Sequence, residues 1–225
     1  MCSYEDISKQ SFELALNLAT KKLSSMKAEE ICRNSGASRI DDDHVLIQYL
    51  NQPYQVTIST GEASMKEKEE EVPVKDRILI LHYLTQASGE PFTNKLITYG
   101  QIEGGRFYSP VFVKRNLDPI LKCFGHRPEL LLEVGQRFGA QRSTYGDASV
   151  AIDAFPMARI YFIIWKGDDE VSHGGNILFD GNIRHYLASE DVCVLTEILT
   201  WKLVNLAETF SPLSACIGKI QGTGT

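Results

Sequence analysis

The five cysteines, Cys2, Cys32, Cys123, Cys193 and Cys216, lie far apart and are odd in number. No C-x-x-C pair or other metal spacing links them, which argues against a chain-encoded zinc or iron–sulfur site and predicts reduced thiols. Long apolar runs are missing too. Nothing approaches the roughly 18 to 20 residues of a membrane-spanning helix. The opening segment MCSYEDISKQ is polar and acidic, unlike a secretory leader, so a cytoplasmic protein is expected. There is no basic surplus: 23 Lys and Arg against 29 Asp and Glu give a net charge of −6. That balance disfavours sequence-independent nucleic-acid binding and attraction to an anionic membrane. Phosphate loop, dinucleotide fingerprint, H-E-x-x-H, nucleophile elbow and EF-hand loop are all absent. No catalytic residue and no cofactor is therefore assigned.

What is present belongs to an ordinary globular chain. Its 225 residues, 43% hydrophobic and 23% charged, suffice for a substantial core. The richest stretch runs from Ser143 to Leu206. Within it, Ala148–Ala154 and Ala158–Trp165 flank Pro156, which lacks an N–H for a ladder and so suits the connection. The run MARIYFIIW is nearly all apolar and reads as a central strand buried on both faces. Ile177–Phe179 forms a short third strand. Ser189, followed by Glu190 and Asp191, opens a helix to about Ala207 whose apolar face is Leu195, Ile198, Leu199, Leu203 and Leu206.

Upstream, Ile7 to Leu23 reads as a helix with Phe12, Leu14, Ala15, Leu18, Ala19 and Leu23 on its apolar face. A second helix, Ser25 to Asn34, stops at Gly36. His44–Leu50 and Tyr54–Ser59 alternate as a hairpin around Asn51-Gln52-Pro53. Gly61 to Glu71 is a charged loop. A helix from Pro73 or Val74 carries Ile78, Leu79, Leu81, His82 and Leu84 and closes at Ser88-Gly89; His82 reads as a satisfied packing residue. Leu96–Ile102 forms a short strand, and Ser109-Pro110 opens a helix that Pro119 kinks or restarts. Another helix spans Glu129 to Phe138. The expected architecture is α+β: two hairpins build a mainly antiparallel sheet covered by about six helices. Residues 1–207 form one domain and 208–225 a partly disordered tail.

A family resemblance lies in the series Gly146-Asp147, Phe155-Pro156, Trp165-x-Gly167-Asp168-x-Glu170, Leu178-Phe179-Asp180, Leu187 and Glu190-Asp191. Leu79-x-Leu81-His82-Tyr83-Leu84 and Gly104-Gly105 extend it upstream. The chain resembles an uncharacterised prokaryotic family known as domain of unknown function 3786, over roughly Ile7 to Leu206. The resemblance implies an origin among anaerobic bacteria and archaea. Some members carry a fused four-cysteine iron–sulfur segment like those of corrinoid iron–sulfur proteins of one-carbon metabolism. This chain has no such segment, and the implied link is to an iron–sulfur or corrinoid partner protein.

Two functions from different classes follow. The first is a non-catalytic accessory protein that binds a small molecule or another protein. The alternative is a metal-assisted, hydrolase-like enzyme built on acids at strand ends. That enzyme would use Asp147, Asp168, Glu170 and Asp180, with His173 or His185 as general base, since oxygen ligands there suit Mg²⁺ or Mn²⁺ and a carboxylate pair suits proton transfer. Trp165 joins these four as a ligand-binding candidate that would line a pocket. The competing reading is that these acids only end strands and cap helices. Glycine pairs 104–105 and 174–175 read as turns. Arg115, Arg127, Arg137 and Arg142 would serve an anionic ligand if the fold gathered them.

Overall fold

The computed structural model describes residues 4–65, 71–167 and 172–210. In chain order the elements are α1 (Tyr4–Leu23), α2 (Ala28–Ser35), β1 (Ser38–Arg39), β2 (His44–Tyr49), β3 (Gln52–Thr57), β4 (Ala63–Met65) and α3 (Val74–Gln86). There follow β5 (Leu96–Thr98), α4 (Gly105–Phe112), α5 (Asp118–Phe124), α6 (Pro128–Gly135), β6 (Gln141–Arg142), β7 (Ala148–Phe155), β8 (Ala158–Trp165), β9 (Gly174–Asp180) and α7 (Ser189–Thr209). The fold is α+β. A single π turn, Val113–Leu117, fuses α4 and α5 into one rod.

Both expected hairpins form, but they lie in separate antiparallel sheets, ordered β1-β2-β3-β4 and β5-β9-β8-β7-β6. As the apolar run of its sequence implies, β8 is the middle strand of the second sheet, with Ile160, Phe162 and Ile164 out of contact with water. The first hairpin turns one residue early. Leu50 and Asn51, with φ of 49° and 62°, make the two-residue left-handed turn whose twist matches that of paired strands. Pro53 consequently stands inside β3, opposite Gln48. Ladder alternation from the turn makes that a non-hydrogen-bonded pair, so its missing N–H costs no bond.

The two sheets meet at a bulge. Asp153 pairs with Arg159 and Phe155 with Ala158, which leaves Ala154 as the extra residue. Its carbonyl accepts the Leu50 N–H at 2.9 Å, joining the turn of the first sheet to the second.

Helix α3 is the packing axis the sequence implied: Ile78 through Leu81, Tyr83, Leu84 and Thr85 are all buried. Tyr83 stacks on Phe155 with centroids 4.1 Å apart and lies 5.6 Å from Tyr186. Its hydroxyl donates to the Ser35 carbonyl at 2.7 Å and accepts the Met157 N–H at 3.0 Å. One side chain thus ties α3 to the end of α2 and to the β7–β8 turn. Burial pushes this hydroxyl far above the usual tyrosine range, so it stays protonated. Gly36, just past α2, has φ of 74°, and a Cβ there would come within 2.9 Å of Pro156, which requires glycine on both counts.

Helix α1 differs from its expected face. Ala19 and Leu23 are buried, whereas Leu14 and Leu18 are each 61% exposed. Helix α4 starts at Gly105, four residues before Ser109-Pro110, and holds Pro110 in its interior. Pro119 does restart the rod, at the first turn of α5. Helix α7 runs on to Thr209, and the tail after residue 210 lies outside the described residues.

Replacing Tyr83 with phenylalanine keeps the stack and strands the Met157 N–H and the Ser35 carbonyl. The expected loss is about 1–3 kcal/mol of stability, read as a lower urea midpoint with an unchanged slope.

Candidate functional site

The acidic candidates divide between two ends of the second sheet. Asp147 precedes β7: its N–H donates to the Ile164 carbonyl at 2.9 Å and its carboxylate accepts the Lys166 N–H at 2.7 Å. It therefore closes the open end of the β7–β8 hairpin. Trp165 ends β8 at the same end, 42% exposed and opposite Gly174. Asp168 and Glu170 lie outside the described residues. Asp180 closes β9 at the other end, beyond the Ile160–Phe179 pair. At about 3.3 Å per residue, that is roughly 17–20 Å from the Trp165 level. The structure does not bring Asp147 and Asp180 together.

Asp180 has a complete set of partners of its own. It accepts the Thr93 N–H and hydroxyl at 2.8 Å each, the Asn94 N–H at 2.7 Å and the Asn182 N–H at 3.0 Å. Burial alone would raise its pKa, but the donated hydrogen bonds of Asn182, Thr93 and Asn94 outweigh it and hold the carboxyl below the usual range. The side chain thereby fastens the 93–94 loop to the single turn of 3₁₀ helix at Gly181–His185. His82, half-buried on α3, also has a partner: its Nδ1 lies 2.8 and 3.0 Å from the two Asp191 oxygens in the first turn of α7.

Sequence reasoning missed a concavity that lies where α7 begins. A cleft of about 460 Å³ is lined by Tyr99, Gly104, Phe107, Tyr108, Arg115, Ser189, Glu190, Cys193 and Val194. The Gly104-Gly105 pair makes it possible. Gly104 has φ of 78° and a Cβ there would meet Ser189 Oγ at 3.0 Å; a Cβ on Gly105 would strike the Tyr99 carbonyl at 2.2 Å. Only bare backbone lets α4 start this close to Tyr99. Tyr99 stacks on Phe112 with centroids 4.2 Å apart, and its hydroxyl donates to the Ser189 carbonyl at 3.2 Å. Burial, aided by the neighbouring Cys193 and Glu190, pushes that hydroxyl up to about 12.

The cleft continues along the surface into a shallow groove of about 610 Å³ between Pro110, Val111, Lys114, Pro119, Glu197 and Trp201, with Arg115 shared by both. Phe107 is 94% exposed and Trp201 47%, so a large aromatic stands at each end. Arg115 bridges the middle, 3.5 Å from the Tyr108 hydroxyl and 3.7 Å from Glu197. Beneath it the π turn buries Asn116, whose amide donates to the Phe112 carbonyl at 2.9 Å and approaches Cys193 Sγ at 3.8 Å. Burial raises the Cys193 pKa and keeps it a neutral thiol, unsuited to act as a nucleophile. The groove thus offers apolar area, exposed aromatic rings and two cations, Lys114 and Arg115, which is binding chemistry. Arg137 lies elsewhere, in a hollow with Tyr49 and Phe138.

Asp180→Asn leaves N–H donors facing an amide and should cost about 1–3 kcal/mol at neutral pH. Because the folded carboxyl titrates below its ordinary value of 3.8, its stabilisation is present above that value and is lost as pH falls through the folded pKa. The gap between wild type and variant in thermal melts should therefore narrow below about pH 4. Gly105→Ala should fold poorly or shift α4, read as loss of helical circular dichroism.

No helix among the described residues is long and apolar enough to cross a membrane, and no group of three or more His, Cys, Asp or Glu among them is placed to hold a metal ion. No curated protein and no solved structure matches the chain. The model of one family, described as Domain of unknown function (DUF3786), matches residues 27–201. That span includes Gly104-Gly105, the π turn, β7 to β9 and α7 as far as Trp201. The chain belongs to the family of domain of unknown function 3786.

Proposed function

We propose that this chain is a cytoplasmic, non-catalytic accessory protein that binds an apolar segment of another protein along the groove between the α4–α5 rod and α7. One observation carries the reading: Phe107, Val111 and Trp201 stand in solvent along a groove that a cleft of about 460 Å³ extends. From Ser189 to Trp201 the α7 wall spans about 18 Å at 1.5 Å per residue. Three turns of an amphipathic helix fit that length, with anchors set three and four residues apart. A protein segment suits the groove better than a small molecule because the concavity opens along the surface, with its largest aromatic at the rim. Lys114 and Arg115 on one wall face Glu190 and Glu197 on the other, and these rim charges would set the orientation of the segment.

Family association supplies the partner class: an iron–sulfur or corrinoid protein of anaerobic one-carbon metabolism in a prokaryote. The association concerns relatives and not the chemistry of this groove.

The test is a paired capture from an anaerobic lysate, with wild type and a Phe107→Asp, Trp201→Asp double variant as baits. Both side chains are exposed, so the variant should keep the wild-type circular dichroism. Retention of an iron–sulfur or corrinoid protein should fall at least tenfold, the scale expected when aromatic anchors are lost. Equal retention by the folded double variant would remove the groove from the account. Wild-type bait that retains no such protein would remove the partner class.

A further inference from the structure

A pair of imidazoles lies outside the groove and does not depend on its reading. His126 follows Gly125 at the end of α5, and His173 immediately precedes β9. Their ring centroids are 4.8 Å apart and their planes cross at 71°. We infer that His126 and His173 form a binding site for one divalent transition-metal ion of the imidazole-preferring class, with Zn²⁺ as its probe.

The spacing is the first argument. Two imidazoles on one tetrahedral zinc, with Zn–N of about 2.0–2.1 Å, place their ring centres about 5 Å apart. The observed centroid separation of 4.8 Å matches that value. The second argument is how the ring of His173 is held. A Cβ on Gly125 would fall 2.4 Å from His173 Cδ2 and 2.7 Å from Cγ. The Cγ–Cδ2 bond is therefore the part of the imidazole that lies nearest the glycine. A larger residue at position 125 would push the ring off, so this glycine acts as a seat for the imidazole.

Partners are the third argument. Neither ring has a hydrogen bond or ion pair with a described residue. His173 is nonetheless half-buried and His126 lies exposed above it. Two aromatic nitrogen bases held in contact with ring nitrogens unspent favour Zn²⁺, Cu²⁺ or Ni²⁺ over the oxygen-seeking Mg²⁺ and Ca²⁺. Cys123 packs against the core and does not contribute a third donor. With two protein donors from the described residues, solvent completes the shell and the affinity falls in the micromolar range. The bound ion would bracket the end of α5 to the start of β9.

The experiment is calorimetric titration of the full chain, free of any histidine tag, with Zn²⁺ and separately with Mg²⁺. One Zn²⁺ per chain should bind with micromolar affinity, and Mg²⁺ should not. His126→Ala, at an exposed position and with unchanged circular dichroism, should weaken Zn²⁺ binding at least tenfold, as should His173→Ala. Zinc-induced shifts confined to these two imidazoles in the nuclear magnetic resonance spectrum supply a second readout. Absence of Zn²⁺ binding at millimolar concentration overturns the inference. So does Zn²⁺ binding that His126→Ala leaves intact, or Mg²⁺ binding of equal strength.

Discussion

A buried phenol must place its hydroxyl, and the way Tyr83 does so governs the rest of this molecule. Its ring is enclosed by Phe155 and Tyr186, and its oxygen both gives a hydrogen bond, to Ser35, and receives one, from Met157. The three contacted segments come from α2, the β7–β8 turn and the approach to α7. An apolar ring alone would leave α3 free to rotate or slide against them, because dispersion contacts are weakly directional. The hydroxyl removes that freedom, since the bond lengths and angles of two hydrogen bonds leave one position for the helix. Helix α7 then docks on α3 through His82 and Asp191, and the groove forms where α7 emerges.

The groove is made of compromises that ordinary helices avoid. Pro110 sits in the interior of α4, and a π turn follows. Ser109 donates its hydroxyl to the Gly105 carbonyl at 3.0 Å, engaging an acceptor near the proline's missing N–H. Asn116 is buried in the π turn, where its Oδ1 has no hydrogen-bond partner among the described residues. Such local costs persist where surrounding packing over-determines them, and they gather at functional surfaces. On the same short helix Phe107 faces outward and Phe112 inward, since five residues of α-helix turn them to different sides.

Elements with local causes were legible in the sequence. Pro156 and the flanking apolar runs declared the β7–β8 pair, and the dense apolar run declared α3. Glu190 and Asp191 marked the start of α7, but Ala188 and not Ser189 stands at its N-cap and no side chain caps it. The Leu50-Asn51 turn was not legible, because a leucine with positive φ has no propensity signal, and Pro53 drew the turn toward itself. Phe107 was missed for a related reason. With the helix start placed at Ser109-Pro110, it fell in a connection and had no face to be exposed on. The carboxylates illustrate a limit of parity. Sequence marks that Asp147, Trp165 and Asp180 end strands, but antiparallel pairing sends the end of β9 back to the far edge. Asp168 and Glu170 lie outside the described residues.

The hydrogen bond between Leu50 and Ala154 has a consequence for cooperativity. It joins a left-handed turn, which has only one register, to a bulge, which also has only one. Slippage of either ladder by a residue would carry its half of this bond out of reach and turn every side chain on that strand to the wrong face. Each sheet therefore proofreads the alignment of the other, and neither can settle into a shifted pairing while its neighbour stays native.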